Sequence, residues 1–117
     1  VQHGALAAFD LDEDFLLDYC QDLKRKAQYL AQELEASPCL GLVPSEGGLF
    51  AFVNVSKTGM TSDEFCLKLL EKWNVAATPG LAFGTNWDDH VRVSLVTGFD
   101  DFATGVRGII DIASQDS

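Results

Sequence analysis

The stretch Leu49-Phe50-Ala51-Phe52-Val53-Asn54-Val55, followed by Thr61-Ser62-Asp63-Glu64-Phe65-Cys66-Leu67-Lys68-Leu69-Leu70-Glu71-Lys72-Trp73-Asn74, decides the fold. The first segment is apolar on both faces, which suits a central strand covered on both sides. The second carries a helix start signal. Thr61 stands where a cap belongs, and Glu64 three residues on completes a capping box. Met60 and Phe65 are spaced to form the hydrophobic staple. Phe65, Cys66, Leu69, Leu70 and Trp73 make an apolar stripe at helical spacing, and Asn74 suits a left-handed stop.

Outward from this pair, toward the start of the chain, Gly41 to Glu46 reads as a strand joined to it by the turn Glu46-Gly47-Gly48. Before that, Phe15, Tyr19, Leu23, Ala27, Leu30 and Leu34 fall at helical spacing. The acidic run Asp10 to Asp14 suits the positive end of that helix, and Ser37-Pro38 closes it. In the other direction, Val75 to Thr78 predicts a short strand ending at Pro79-Gly80. Val91 to Val96 predicts a fourth strand after the loop Leu81 to His90. Thr97 then caps a last helix carrying Phe102, Val106, Ile109, Ile110 and Ala113, which Gly105 and Gly108 weaken somewhat. The order α-β-β-α-β-β-α implies an α/β (α+β) fold. It is a small two-layer sandwich, a mostly antiparallel four-stranded sheet with helices packed on it. Phe50, Phe52, Phe65, Leu69, Val93 and Ile109 are expected in its core.

The chain has 117 residues, 47% apolar and 22% charged, which fits one globular domain over 1–117. Its formal net charge of −10 argues against nucleic acid and anionic membranes as partners, since no basic surface is available to meet phosphates. No apolar run is long enough for a transmembrane helix. Cys20, Cys39 and Cys66 are odd in number and widely spaced, so neither a disulfide framework nor a zinc knuckle is expected. Cys20 and Cys66 read as small buried hydrophobes, and reduced thiols point to a cytoplasmic location. The chain begins with Val1 rather than Met, from which a fragment or a processed chain is expected.

Arg92 is the most informative single residue. Val91, Val93 and Leu95 share one strand face, so Arg92 and Ser94 face the other way. An arginine on a rigid strand is suited to gripping a carboxylate through two parallel hydrogen bonds. A surface ion pair is the other reading, and the pattern alone favours it. Gly47-Gly48 reads as a hairpin turn, and Pro79-Gly80 with Phe83-Gly84 as turns bounding a loop. His3 and His90 have no clustered ligands, so no metal site is expected. Asp88-Asp89 and Asp100-Asp101 read as caps or solvated turns. Lys24-Arg25-Lys26 reads as a solvated helix face rather than an anion site, with Asp22 and Lys26 able to pair. No hydrolase elbow, dinucleotide fingerprint or Walker loop is present.

The order of these features is more informative than any one of them. Pro44-x-x-Gly47-Gly48-Leu49-Phe50-x-Phe52, then Ser62-x-Glu64-Phe65, then Pro79-Gly80-x-x-Phe83-Gly84, then Val91-Arg92-Val93-Ser94 resembles the C-terminal segment of class I/II aminotransferases. The opening Val1 to Ala8 resembles the stretch leading from the large domain of that family into the small one. Two departures stand out. Lys26-Ala27-Gln28 occupies the place of an Arg-Arg-Asp-like run, and Leu49 follows the two glycines where Phe or Tyr is common.

The resemblance implies a small domain cut away from the large domain that holds pyridoxal 5'-phosphate. In the family a lysine of the large domain binds that cofactor as a Schiff base. Lys24, Lys26, Lys57, Lys68 and Lys72 read instead as helix-surface or turn residues, so no catalytic or cofactor-binding residue is expected in this chain. Arg92 would hold the α-carboxylate of an amino acid or 2-oxo acid, and Gly47, Gly48 and Leu49 would border the substrate entrance. The implied partners are the large domain and a homodimer partner. The isolated chain would be inactive. A stand-alone α/β ligand-binding or interaction module is the alternative, and a lyase or synthase using the same cofactor would share this domain.

Overall fold

The computed structural model describes residues 13–43 and 49–115. Among these residues three helices, α1 (Glu13–Glu35), α2 (Ser62–Trp73) and α3 (Phe99–Gln115), accompany four strands. The strands are β1 (Gly41–Leu42), β2 (Phe50–Asn54), β3 (Thr78–Pro79) and β4 (His90–Ser94). The sheet order is β1-β2-β4-β3, antiparallel throughout. This is the expected α+β sandwich in the expected order. β1 is described over Gly41–Leu42, and Pro44 to Glu46 of the strand expected there lie outside the described residues. β3 covers Thr78–Pro79 rather than Val75 to Thr78, because Asn74 adopts a left-handed conformation and Val75 N–H still bonds back to Leu69.

One face of the sheet meets the helices. Ala51, Val53, Val55, Val91 and Leu95 join Leu30 and Leu34 of α1, Phe65 and Leu69 of α2, and Phe102, Val106 and Ile109 of α3 in a single core. Phe65, Leu69 and Ile109 are buried as expected, and Val93 packs at the core's edge. Phe50 and Phe52 do not belong to it. Side chains alternate along β2, and the helices cover the Ala51-Val53-Val55 set, which sends both phenylalanines to the other face. Phe50 is 40% exposed.

Thr61 caps α2, accepting the Glu64 backbone N–H at 3.3 Å, and Met60 and Phe65 are both buried beside that start. Leu70, read into the apolar stripe, is exposed. The last helix begins at Phe99, with Phe102 N–H bonded to the Gly98 carbonyl, so the cap position falls on Gly98 and not Thr97. Gly108 has a packing reason. A Cβ there would meet Leu69 and the Trp73 ring at 3.0 Å, so its absence lets α2 and α3 approach closely. Trp73 Nε1 donates to Asp111 across that contact at 2.9 Å.

Two further expectations are corrected. Lys26 is not on a solvated face. Its side chain is 3% exposed, while Lys24 and Arg25 remain exposed. The ammonium pairs with Asp22 at 2.8 Å, which satisfies a charge that burial would otherwise penalise heavily. The Lys26 hydrogen bond holds the Asp22 carboxyl below the usual carboxylate range, partly opposed by desolvation. Cys20 is exposed rather than buried, whereas Cys66 is buried. Among the described residues no helix is long and apolar enough to cross a membrane.

Candidate functional site

The sheet face opposite the helices carries the candidate site around Arg92. Strand pairing sets Arg92 between Phe52 on β2 and Thr78 on β3, with Phe50 diagonal to it. Paired residues project from the same face, so register alone gathers Arg92, Phe52 and Thr78. The guanidinium carbon lies 4.0 Å from the Phe50 ring centre and 4.9 Å from that of Phe83. Arg92 Nη2 donates to Thr78 Oγ1 at 3.4 Å. Phe52 packs on Phe83 at 5.7 Å and on Trp87 at 5.4 Å between ring centres. Trp87 in turn meets His90 edge-on at 5.0 Å. Among the described residues no carboxylate pairs with Arg92.

The loop between β3 and β4 delivers Phe83 and Trp87, and α2 holds that loop. Two 3-10 turns, Gly80–Phe83 and Thr85–Trp87, meet at Gly84, whose φ of 129° is open to glycine. Ser62, the first residue of α2, is fully buried beneath the loop. Its hydroxyl donates to Asp88 Oδ1 at 2.8 Å and accepts the Leu81 N–H at 3.2 Å. Its own N–H donates to the Asp88 carbonyl at 2.6 Å, and Val55 N–H reaches the Asp89 carbonyl at 2.8 Å. Gly80 lies so close to the returning chain that a Cβ would fall 1.9 Å from the Trp87 carbonyl oxygen. Asp88 is thus a tie for the loop, more than a solvated turn residue. Asp89 contacts His90 Nδ1 at 2.6 Å.

The other sequence-derived positions divide. Leu49 is exposed beside Phe50, and its carbonyl accepts the Leu95 N–H at 2.8 Å. Gly47 and Gly48, His3 and the opening Val1 to Ala8 lie outside the described residues. No cluster able to hold a metal ion occurs among the described residues. Phe50, Phe83, Trp87 and Thr78 escaped sequence reasoning as site residues. The available signal was the alternation of Phe50 and Phe52 against Ala51 and Val53, which becomes informative only once β2 is paired with Arg92's strand.

The lysines lie away from the strands of this face. Lys24 and Lys26 are on α1, Lys57 is in the turn after β2, and Lys68 and Lys72 are on α2. None is on the strands that carry Arg92. Lys26 is the one lysine that is buried, and its ammonium is engaged by Asp22.

This chain is similar to the glutamate-pyruvate aminotransferase of Escherichia coli, 29% identical over 111 residues, covering 93% of the chain and 27% of that enzyme. It is 32% identical over 77 residues to an aspartate aminotransferase of Pyrococcus horikoshii, covering 66% of the chain and 20% of the enzyme. Among solved structures, the aspartate aminotransferase of Thermotoga maritima superposes with a TM-score of 0.79 at 26% identity, covering 97% of this chain and 28% of that one. The chain therefore spans under a third of the length of these relatives. The family model described as aminotransferase class I and II matches residues 1–101. With that match over most of its length, the chain belongs to the class I and II aminotransferase family.

Proposed function

We propose that this chain is the small-domain portion, folding as one domain, of an aminotransferase that moves an amino group between an amino acid and a 2-oxo acid. Arg92 binds the substrate α-carboxylate. The observation that carries this reading is an arginine held on a rigid strand, flanked by aromatic rings, with no carboxylate of its own among the described residues. A guanidinium so placed offers a planar fork of donors matched to a carboxylate. Fixing both carboxylate oxygens sets the direction of the α C–H bond, which proton removal requires.

Pyridoxal phosphate, held by the rest of the enzyme, supplies the electron sink when bound. The described residues of this chain do not form its cradle, so their part is to bind, orient and exclude water. Exposed Leu49 and Phe50 border the approach to Arg92, with Gly47 and Gly48 preceding them in sequence. Movement of this domain against the large one closes the site. The partners are that large domain, a homodimer partner and the two substrates, in the cytoplasm. The isolated chain has no transaminase activity.

The test is Arg92→Ala in the full-length enzyme. It should lose about 2–5 kcal/mol of transition-state binding, seen in kcat/KM for amino and oxo acids, with the cofactor's absorption spectrum intact. Near-normal kcat/KM would move the carboxylate site elsewhere.

A further inference from the structure

We infer that Phe50 and Phe83 are positioning residues for Arg92, with their rings fixing the plane of the guanidinium and Thr78 fixing its rotation within that plane. The inference rests on the proposed carboxylate-binding role of Arg92 and goes beyond it in naming what orients the group. Neither ring has a share in the hydrophobic core. Phe50 and Phe83 are 40% and 46% exposed and are absent both from the core and from the partly buried side chains packed on it. Yet both lie against the guanidinium, at 4.0 and 4.9 Å. Aromatic faces attract a cation through their quadrupole.

The geometry separates the two uses of the guanidinium. Stacking engages its flat faces, whereas a carboxylate approaches its N–H edges in the plane. The rings therefore do not compete with a substrate for donors. Thr78 Oγ1 accepts one N–H from Nη2, which leaves other donors of the fork for the carboxylate. A free arginine side chain samples many rotamers, and ordering it on binding would cost affinity. Stacking removes much of that freedom beforehand. The loop tie through Ser62 and Asp88 serves the same end, because it sets where Phe83 stands.

The test uses steady-state kinetics of the full-length enzyme. Phe50→Leu keeps an apolar side chain and loses the ring face. It should lower kcat/KM for amino acids about 3- to 30-fold, mostly through KM, with little change in Tm. Phe50→Tyr, which keeps the face, should recover most of the loss. In an Arg92→Lys background, Phe50→Leu should cost less than about 2-fold, because an ammonium has no plane to orient. Three outcomes would overturn the inference while leaving the carboxylate reading intact, given that Arg92→Ala collapses activity. They are a silent Phe50→Leu, equal losses in both Phe50 variants with a falling Tm, or the full Phe50→Leu penalty retained in the lysine background. A fully active Arg92→Ala enzyme would overturn both readings.

Discussion

The guanidinium carbon of Arg92 lies 4.0 Å from the centre of the Phe50 ring, on the sheet face opposite the three helices. The two residues are two positions out of direct register, since Phe52 is the Cα partner of Arg92 and Phe50 that of Ser94. The contact is therefore a diagonal one, which long side chains on a sheet can reach. It places a charge over an exposed ring, which itself takes up none of the N–H donors at the edge of the guanidinium.

Arg92→Lys in the full-length enzyme should lower kcat/KM for amino acids by at least about tenfold although the charge is kept, because the planar fork is lost. Steady-state kinetics with an amino acid and its 2-oxo acid partner checks this. Activity equal to the parent enzyme would show that charge alone suffices.

Gly80→Ala should destabilise the domain by about 1–3 kcal/mol or more. The new Cβ would fall on the Trp87 and His90 carbonyl oxygens, both backbone atoms that cannot swing aside. A denaturant titration measures the loss. A midpoint unchanged within error would mean the loop does not close over Gly80.

Ser62→Ala should cost more than Thr61→Ala, although the two residues are adjacent. Thr61 loses one exposed cap bond of 3.3 Å, which is the lower part of the roughly 0.5–2 kcal/mol range for caps. Ser62 leaves the Asp88 carboxylate and the Leu81 N–H without their partner beneath the loop, at about 1–3 kcal/mol. Parallel urea titrations rank the pair, and the reverse order would contradict the loop tie.

Cys66 should give the domain an alkaline limit. Burial, with a smaller contribution from Asp63, pushes its thiol up to about 11. Above the ordinary thiol range, near pH 9, the unfolded chain releases the proton while the folded chain keeps it. Stability is thus complete below about pH 9 and falls as pH rises toward 11, by up to roughly 2–3 kcal/mol. Melting curves between pH 8 and about 11 should show the slope, and Cys66→Ala should flatten it. Iodoacetamide near neutral pH should modify exposed Cys20 well before Cys66.

Asp22→Asn should lower Tm more than Lys26→Met. The first leaves a buried ammonium without its carboxylate, while the second replaces the buried charge by an apolar chain of similar length. The pair's stabilisation is present above the ordinary carboxylate range and is lost as pH falls through the depressed value of Asp22. Melting curves from neutral to acid pH for the parent and Asp22→Asn should converge at the acid end.

Local chemistry made much of this protein legible from its sequence. The capping residue Thr61 and the staple of Met60 and Phe65 mark the start of α2, and Asn74 marks its end, because these signals act within one helical turn. The alternation around Arg92 put it opposite Val91 and Val93, because neighbours on a strand point to opposite faces whatever the fold. The ordered turn and strand motifs identified the family. What a period of two cannot say is which of its two sets meets the helices. Leu49 to Val55 is apolar on both faces, and only the packing of α1, α2 and α3 on Ala51, Val53 and Val55 sent Phe50 and Phe52 to the side of Arg92. The same holds for Lys26 and Ser62. Each is polar, yet each is buried in the folded chain, and each has a partner that satisfies it, Asp22 for the ammonium and Asp88 for the hydroxyl.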